Sequence, residues 1–181
     1  MKKSPQTNSI ETPESDYLYI KKSQLPSAGY GLFIAIDIFE DEIISVFEGE
    51  LVNKTQLRQR IKDGLDLYFI NLPDGSMLDC MNVESFARYA NDAAGYARSG
   101  FKNNAYIGMD DDDRVCLIAL KDIKTGSEIF CSYGKDYWKK HKWIESLKSY
   151  SGKSSLHPTK IQGPLIEVSA NNFDHHFITH V

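Results

Sequence analysis

Short apolar runs separated by polar breaks set the pattern of this chain from Tyr17 onward. "YLYIKKS" (17–23) alternates with the two-residue period of a half-buried strand, and "PSAGYG" (26–31) is a turn-rich break. "LFIAIDIFEDEIISVFEGELV" (32–52), rich in Ile, Val and Phe, predicts a pair of short strands around an acidic turn at Glu40-Asp41. "NKTQLRQRIKDG" (53–64) predicts a helix, with Asn53 as N-cap, Leu57 and Ile61 as an i, i+4 apolar pair and Gly64 at the C-terminal stop. "LYFINLPDGSMLDC" (67–80) reads as two strands around Pro73-Asp74-Gly75. "VESFARYAND" (83–92) reads as a short helix ending near Gly95. "RVCLIAL" (114–120) and "EIFCSY" (128–133) read as strands joined by a turn at Gly126, and "KDYWKKHKWIESLKS" (135–149) is again helical in pattern.

Many short strands with few helices predict a mainly β domain with irregular connections. Residues 1–16, polar and holding Pro5 and Pro13, read as a flexible arm; 17–138 form the domain; 139–181 supply a C-terminal helix and a loose tail rich in Gly, Ser and Pro. The chain of 181 residues fits one domain with a tail, and its 41% hydrophobic content supplies a core, which argues against global disorder. A net charge of −4 disfavours a generic phosphate-backbone binder. No apolar run approaches the roughly 20 residues of a membrane span. No apolar run follows Lys2 and Lys3, so no secretory signal is expected. Cys80, Cys116 and Cys131 are widely spaced, which favours buried thiols in a reducing compartment over a zinc site. An intracellular protein, cytoplasmic or nuclear, is the expectation.

Three segments carry candidate chemistry: "SAGYGLF" (27–33), "ARYAND" (87–92) with "KNNAY" (102–106), and "GSEIFCSYGKDYW" (126–138). Asn91 and Asp92 stand side by side among alanines, and two polar side chains in such a place need partners or a ligand. Gly29-Tyr30-Gly31 alone is weak, since no third glycine and helix follow as in a dinucleotide fingerprint; its physical use is to bring bare backbone close to a ligand. The order and spacing of these segments resemble the SET-domain lysine methyltransferases. "VFEGEL" (46–51) is similar to the family's "EYxGEL", "SMLDC" (76–80) to "xxIDA", "ARYAND" to "RFxNH", "NNA" (103–105) to "PNA" and "EIFCSYG" (128–134) to "ELTxDYG". The resemblance covers about residues 17–138, keeps the motifs in family order, and is closer to compact viral and bacterial members without a Cys-rich C-terminal segment.

That resemblance implies a β-clip fold, small curved sheets around a C-terminal pseudoknot in which the "NH" segment and the "DY" strand meet. It implies S-adenosyl-L-methionine as cofactor on one face, and a substrate lysine entering from the other through a narrow channel. Gly29, Tyr30 and Gly31 would hold the methionine part with their backbone, Asn91 would bond it with its side chain, and Asp92 would meet the adenine mainly through its backbone. Arg88 and Asn104 would belong to the pseudoknot. Tyr133 takes the position of the catalytic tyrosine, and Trp138, with Tyr137 second, that of an aromatic packed on the adenine. Phe47, Tyr68 and Cys131 would line the substrate channel. The implied activity is methyl transfer to the ε-amine of a lysine in a protein or peptide, a histone among the candidates. No metal, nucleic acid or membrane is implied, oligomeric state is left open, and a host-cell target is in scope if the source is viral or bacterial.

Departures from the family pattern bear on that activity. Phe47 stands where a tyrosine hydroxyl is usual, Cys131 where an aromatic commonly narrows the channel, and Asp92 where histidine is usual. They keep a second reading open, a SET-like protein- or peptide-binding module that is catalytically weak or inactive. Asp110–Asp113 reads as a solvated hairpin tip rather than a calcium loop, because no alternating ligands and twelfth-position Glu follow. Lys135, Lys139, Lys140, Lys142 and Lys148 read as a solvated helix face, and His176 and His180 as fortuitous tail histidines.

Overall fold

The computed structural model describes residues 9–63, 68–96, 99–135, 137–139 and 165–167. They fall into two compact units, one built from 9–48 and 85–132, the other from 49–84 and 133–167. The expected tail helix, the basic stripe beyond Lys139, Gly64 and the tail histidines lie outside the described residues.

In the first unit, α1 (Glu14–Tyr17) leads into β1 (Leu18–Lys22), which pairs antiparallel with β2 (Tyr30–Ile34) in register Leu18↔Ile34 to Lys22↔Tyr30. On its other side β2 pairs with β9 (Glu128–Ile129), Leu32 opposite Ile129 and Phe33 opposite Glu128. A second sheet has the order β3-β8-β7, with β3 at Ile43–Val46, β7 at Ala105–Met109 and β8 at Val115–Ala119. Every residue of the central strand β8 is buried. This is why "VCLIA" is a continuous apolar run rather than an alternating one. The hairpin β7–β8 turns through the aspartate run, where Asp110 accepts bonds from the backbone N–H groups of Asp112 and Arg114 and from Arg114 Nε.

The N-terminal segment is docked earlier than its composition suggests. Ser9 bridges to Ile43. Glu14 accepts from Ser45 Oγ and Val46 N, both at 2.8 Å. Tyr17 donates its hydroxyl to Ile44 O at 2.9 Å, and burial pushes that hydroxyl's pKa up to about 12. Polar composition predicted a loose arm, but one carboxylate aimed at strand β3 is enough to anchor its end.

The second unit contains a four-stranded sheet of order β10-β5-β6-β4, with β4 at Glu50–Val52, β5 at Phe69–Asn71, β6 at Met77–Asp79 and β10 at Leu165–Glu167. The β5–β6 turn falls at Pro73-Asp74-Gly75 as predicted. Helix α2 (Lys54–Lys62) opens with the expected cap: Asn53 Oδ1 accepts from Thr55 N and Gln56 N, and Gln56 Oε1 accepts from Asn53 N. No residue of α2 is buried, and Ile61 is 48% exposed, so the Leu57/Ile61 pair does not form a core face. Arg60 ties the helix to the sheet instead, donating to Glu50 at 2.6 Å and to the buried carboxylate of Asp79.

Three other expectations change. The 32–52 stretch, expected to give a strand pair, supplies the end of β2 and both β3 and β4. The helix expected over 83–92 is only a 3₁₀ turn at Ala87–Tyr89. The "EIFCSY" strand has two ladder residues, because Phe130 and Cys131 leave β2 for isolated bridges to Asn91 and Ala105.

Arg60→Ala is expected to leave Asp79 charged, buried and short of a partner, lowering stability by about 2–4 kcal/mol. A urea unfolding series measures it, and a midpoint unchanged from wild type would contradict the anchoring role.

Candidate active site

The site of the first unit is built where three chain segments meet. Strand residues 128–131 form the middle segment. On one side Asn91 bridges to Phe130, and Cys131 N donates to Asn91 O at 2.9 Å. On the other, Ala105 bridges to Cys131, and the N–H groups of Asn104 and Ala105 both donate to Phe130 O. Asn104 completes the clamp with its side chain. Its Nδ2 donates to Glu128 O at 2.9 Å, and its Oδ1 accepts from Phe130 N at 2.8 Å. Asn104, which the resemblance assigned to the pseudoknot, thus bonds the backbone of Glu128 and Phe130 with its side chain.

The Gly-x-Gly turn lies against this crossing. Ser23 N donates to Gly29 O at 2.9 Å, which closes the loop between β1 and β2. Leu25, Ala93 and Phe130 pack beneath it as a buried apolar cluster, with Ala28 alongside. The two glycines serve different purposes. Gly29 has φ +75°, a backbone conformation that side-chain-bearing residues rarely adopt. Gly31 is required for space: a Cβ there would stand 2.0 Å from Glu128 Oε1.

Glu128 is the residue that sequence reasoning missed. It is 2% exposed, and its carboxylate accepts from Ser23 Oγ at 2.6 Å, Gln24 N at 2.7 Å and Asn91 Nδ2 at 3.3 Å. One signal was available, a glutamate at the head of the otherwise apolar run "EIFC". Asn91, half-buried, also donates Nδ2 to Tyr30 O at 3.0 Å, so it joins the Gly-x-Gly turn to Glu128. Among the described residues nothing donates to Asn91 Oδ1. Tyr30 itself is 66% exposed. The cradle therefore offers bare backbone, an amide oxygen and a nearby carboxylate, an acceptor-rich setting suited to a cationic ligand.

Asp92 has its own buried partners. Its carboxylate accepts from Ala94 N at 2.8 Å and from Asn103 Nδ2 at 2.9 Å, while Asn103 Oδ1 accepts from Ala93 N at 2.9 Å. Asn103 stands where the family's "PNA" has proline, so the two departures meet in one bond. Arg88 lies over the Tyr89 ring.

Of the residues expected in a substrate channel, Phe47 is buried and donates its N–H to Val115 O. Cys131 is fully buried, its thiol reaching Ala90 O, and burial pushes its pKa up. Such thiols stay protonated at neutral pH. All three cysteines are buried and none is disulfide-bonded. Among the described residues no group of His, Cys, Asp or Glu is placed to hold a metal ion.

The second unit holds Tyr68, Tyr133, Tyr137 and Trp138. Tyr68 has φ +65°, a strained conformation for an aromatic residue. Tyr133 stacks on Trp138 at 6.3 Å between ring centroids, and Tyr137, buried, meets both rings edge-on. Gly134, with φ +87°, follows Tyr133 directly in the chain.

Asn104→Ala is expected to orphan Phe130 N and Glu128 O, at a cost of about 2–4 kcal/mol. Asn103→Ala is expected to cost about 1–2 kcal/mol, since it leaves Ala93 N without its acceptor and removes one of the donors to Asp92 Oδ1. Denaturation midpoints compare the two, and equal or absent losses would contradict the order.

A SET-domain family model matches residues 29–134, more than half of the chain. The histone-lysine N-methyltransferase EZH2 of Chaetomium thermophilum is 31% identical over 126 residues, which is 64% of this chain and 8% of that protein. An H3 lysine-36 specific histone-lysine N-methyltransferase of Candida albicans is 29% identical over 126 residues, 66% of this chain and 14% of that protein. The chain thus spans only a small part of the relatives it matches. Among solved structures, an active polycomb repressive complex 2 in the stimulated state matches 83% of this chain and 17% of its own with a TM-score of 0.57 at 25% identity. A humanized mutant of the Chaetomium thermophilum complex, bound to an inhibitor, gives 0.52 at 30% identity over 65% of this chain and 15% of its own. With these motifs in order, the three-segment crossing and these matches, the chain belongs to the SET-domain family.

Proposed function

We propose that this chain carries a protein-lysine N-methyltransferase activity dependent on S-adenosyl-L-methionine. The observation that carries the reading is the cradle of Gly29–Gly31, Asn91 and Glu128, set on the crossing of segments 91, 104–105 and 128–131. The residues fit that cofactor: an amide oxygen and a carboxylate suit the cationic groups of its methionine part. Gly29, Tyr30, Gly31 and Asn91 would hold the methionine part, with Asp92 toward the adenine. When bound, the cofactor supplies an electrophilic methyl group on a sulfonium.

The protein's task is to present a neutral lysine amine. With a solution pKa near 10.4, holding it neutral at pH 7 costs roughly 4–5 kcal/mol. A dry channel supplies this by desolvation, and a neighbouring positive charge adds to it, so no strong side-chain base is required. No histidine lies in the matched motifs. Tyr133 is assigned to orient the amine through its hydroxyl, a catalysis by positioning. A histone or another lysine-rich protein inside the cell is the proposed substrate, to which a chain of net charge −4 is electrostatically suited. The relatives, named as histone-lysine methyltransferases, favour the histone.

Calorimetric titration with the cofactor, followed by a radiolabelled methyl assay on mixed histones, is expected to show binding and transfer to lysine. Tyr133→Phe is expected to lower turnover by on the order of a hundredfold while leaving the cofactor Kd nearly intact. Unchanged turnover would remove Tyr133 from its role. Binding with no transfer to any lysine protein would favour the peptide-binding module.

A further inference from the structure

Glu128 is a buried carboxyl group with no cation paired to it among the described residues. Its three donors, the Ser23 hydroxyl, the Gln24 N–H and the Asn91 amide, are all neutral. No lysine or arginine of the described residues forms an ion pair with it. A buried carboxylate so placed is costly in the protein alone, and a cation arriving beside it recovers part of that cost. The packing shows that the carboxylate is held there by design of the loop, since Gly31 gives up its Cβ to make room. Its Oε1 lies 3.3 Å from Asn91 Nδ2, and the other atom of that amide, Oδ1, receives no donor from the described residues. The charge is therefore one side chain away from an open acceptor.

We propose that Glu128 is the charge-sensing residue of this cradle, favouring the sulfonium form of the cofactor over the neutral thioether product. The inference rests on the methyltransferase reading. In methyl transfer the carbon–sulfur bond breaks with its electron pair staying on sulfur, and a carbon–nitrogen bond forms from the amine lone pair. The positive charge passes from sulfur to nitrogen, and the amine then releases a proton to solvent. Sulfur is left uncharged, so the carboxylate loses the sulfonium's share of its attraction for the spent cofactor, the α-ammonium being common to both forms. Glu128 thus binds the methyl donor and lets the product go, a role beyond holding the Gly-x-Gly turn.

Calorimetry of S-adenosylmethionine and S-adenosylhomocysteine on wild type, Glu128→Gln and Ser23→Ala tests this. Glu128→Gln is expected to cut the preference for the sulfonium ligand by about threefold to tenfold, the thioether Kd changing little. Ser23→Ala removes one donor but keeps the charge, so both Kd values are expected to shift together. An unchanged preference in a folded Glu128→Gln protein overturns the proposal. If that variant does not fold, wild type decides: an analogue with a protonated amine in place of the sulfonium is expected to bind tighter than the thioether, and equal or weaker binding overturns it. Failure of wild type to bind either cofactor form would instead overturn the methyltransferase reading. Binding of both with no charge preference overturns only the role of Glu128.

Discussion

The position of residues 128–131 is the constraint on which the rest of the site depends. This segment is buried, and each of its backbone groups needs a partner. It finds them by changing neighbours along its length. Glu128 and Ile129 ladder with β2, whereas Phe130 and Cys131 turn to Asn91 and Ala105. Asn104 holds the change of neighbours in place, its side chain taking one bond from Phe130 and giving one to Glu128. With that register fixed, the Glu128 side chain reaches the Gly-x-Gly turn and the Asn91 carbonyl receives Cys131 N–H.

The Gly-x-Gly turn takes its meaning from that arrangement. In a dinucleotide fingerprint the glycines let the backbone approach a pyrophosphate at a helix N-terminus. Here the space left by Gly31 is filled by a carboxylate. A buried acid at that point repels a phosphate and attracts a cation. The same short motif therefore serves opposite electrostatics in the two settings, and only the neighbour across the sheet distinguishes them.

The acidic residue beside Asn91 shows how a departure from a family pattern is accommodated. A carboxylate at position 92 is 1% exposed, which would be costly without donors. Asn103 supplies one of those donors and takes the Ala93 N–H in return, while Ala94 N supplies another. Proline at position 103 could do neither with its side chain. The two unusual residues are thus one local solution, made across a gap of ten residues in sequence.

The sequence alone was enough to read the β-rich domain, the capped helix at Asn53, the turn at Pro73-Asp74-Gly75 and the motif order that names the family. These are short-range properties: period, capping chemistry, turn residues and spacing. Much of the three-segment crossing was legible the same way, because Gly29, Gly31, Asn91 and Asn104 fall in motifs. What the sequence left open depends on distant partners. The Leu57/Ile61 pattern said nothing of Arg60 reaching Asp79, and polar residues 9–16 did not announce that Glu14 would bond strand β3. Glu128 stood inside a quoted motif without a role, since its role needs Ser23 and Asn91, each more than thirty residues away. Local chemistry selects the elements, but the burial of a charge and the donors that surround it are decided only when the chain has folded back on itself.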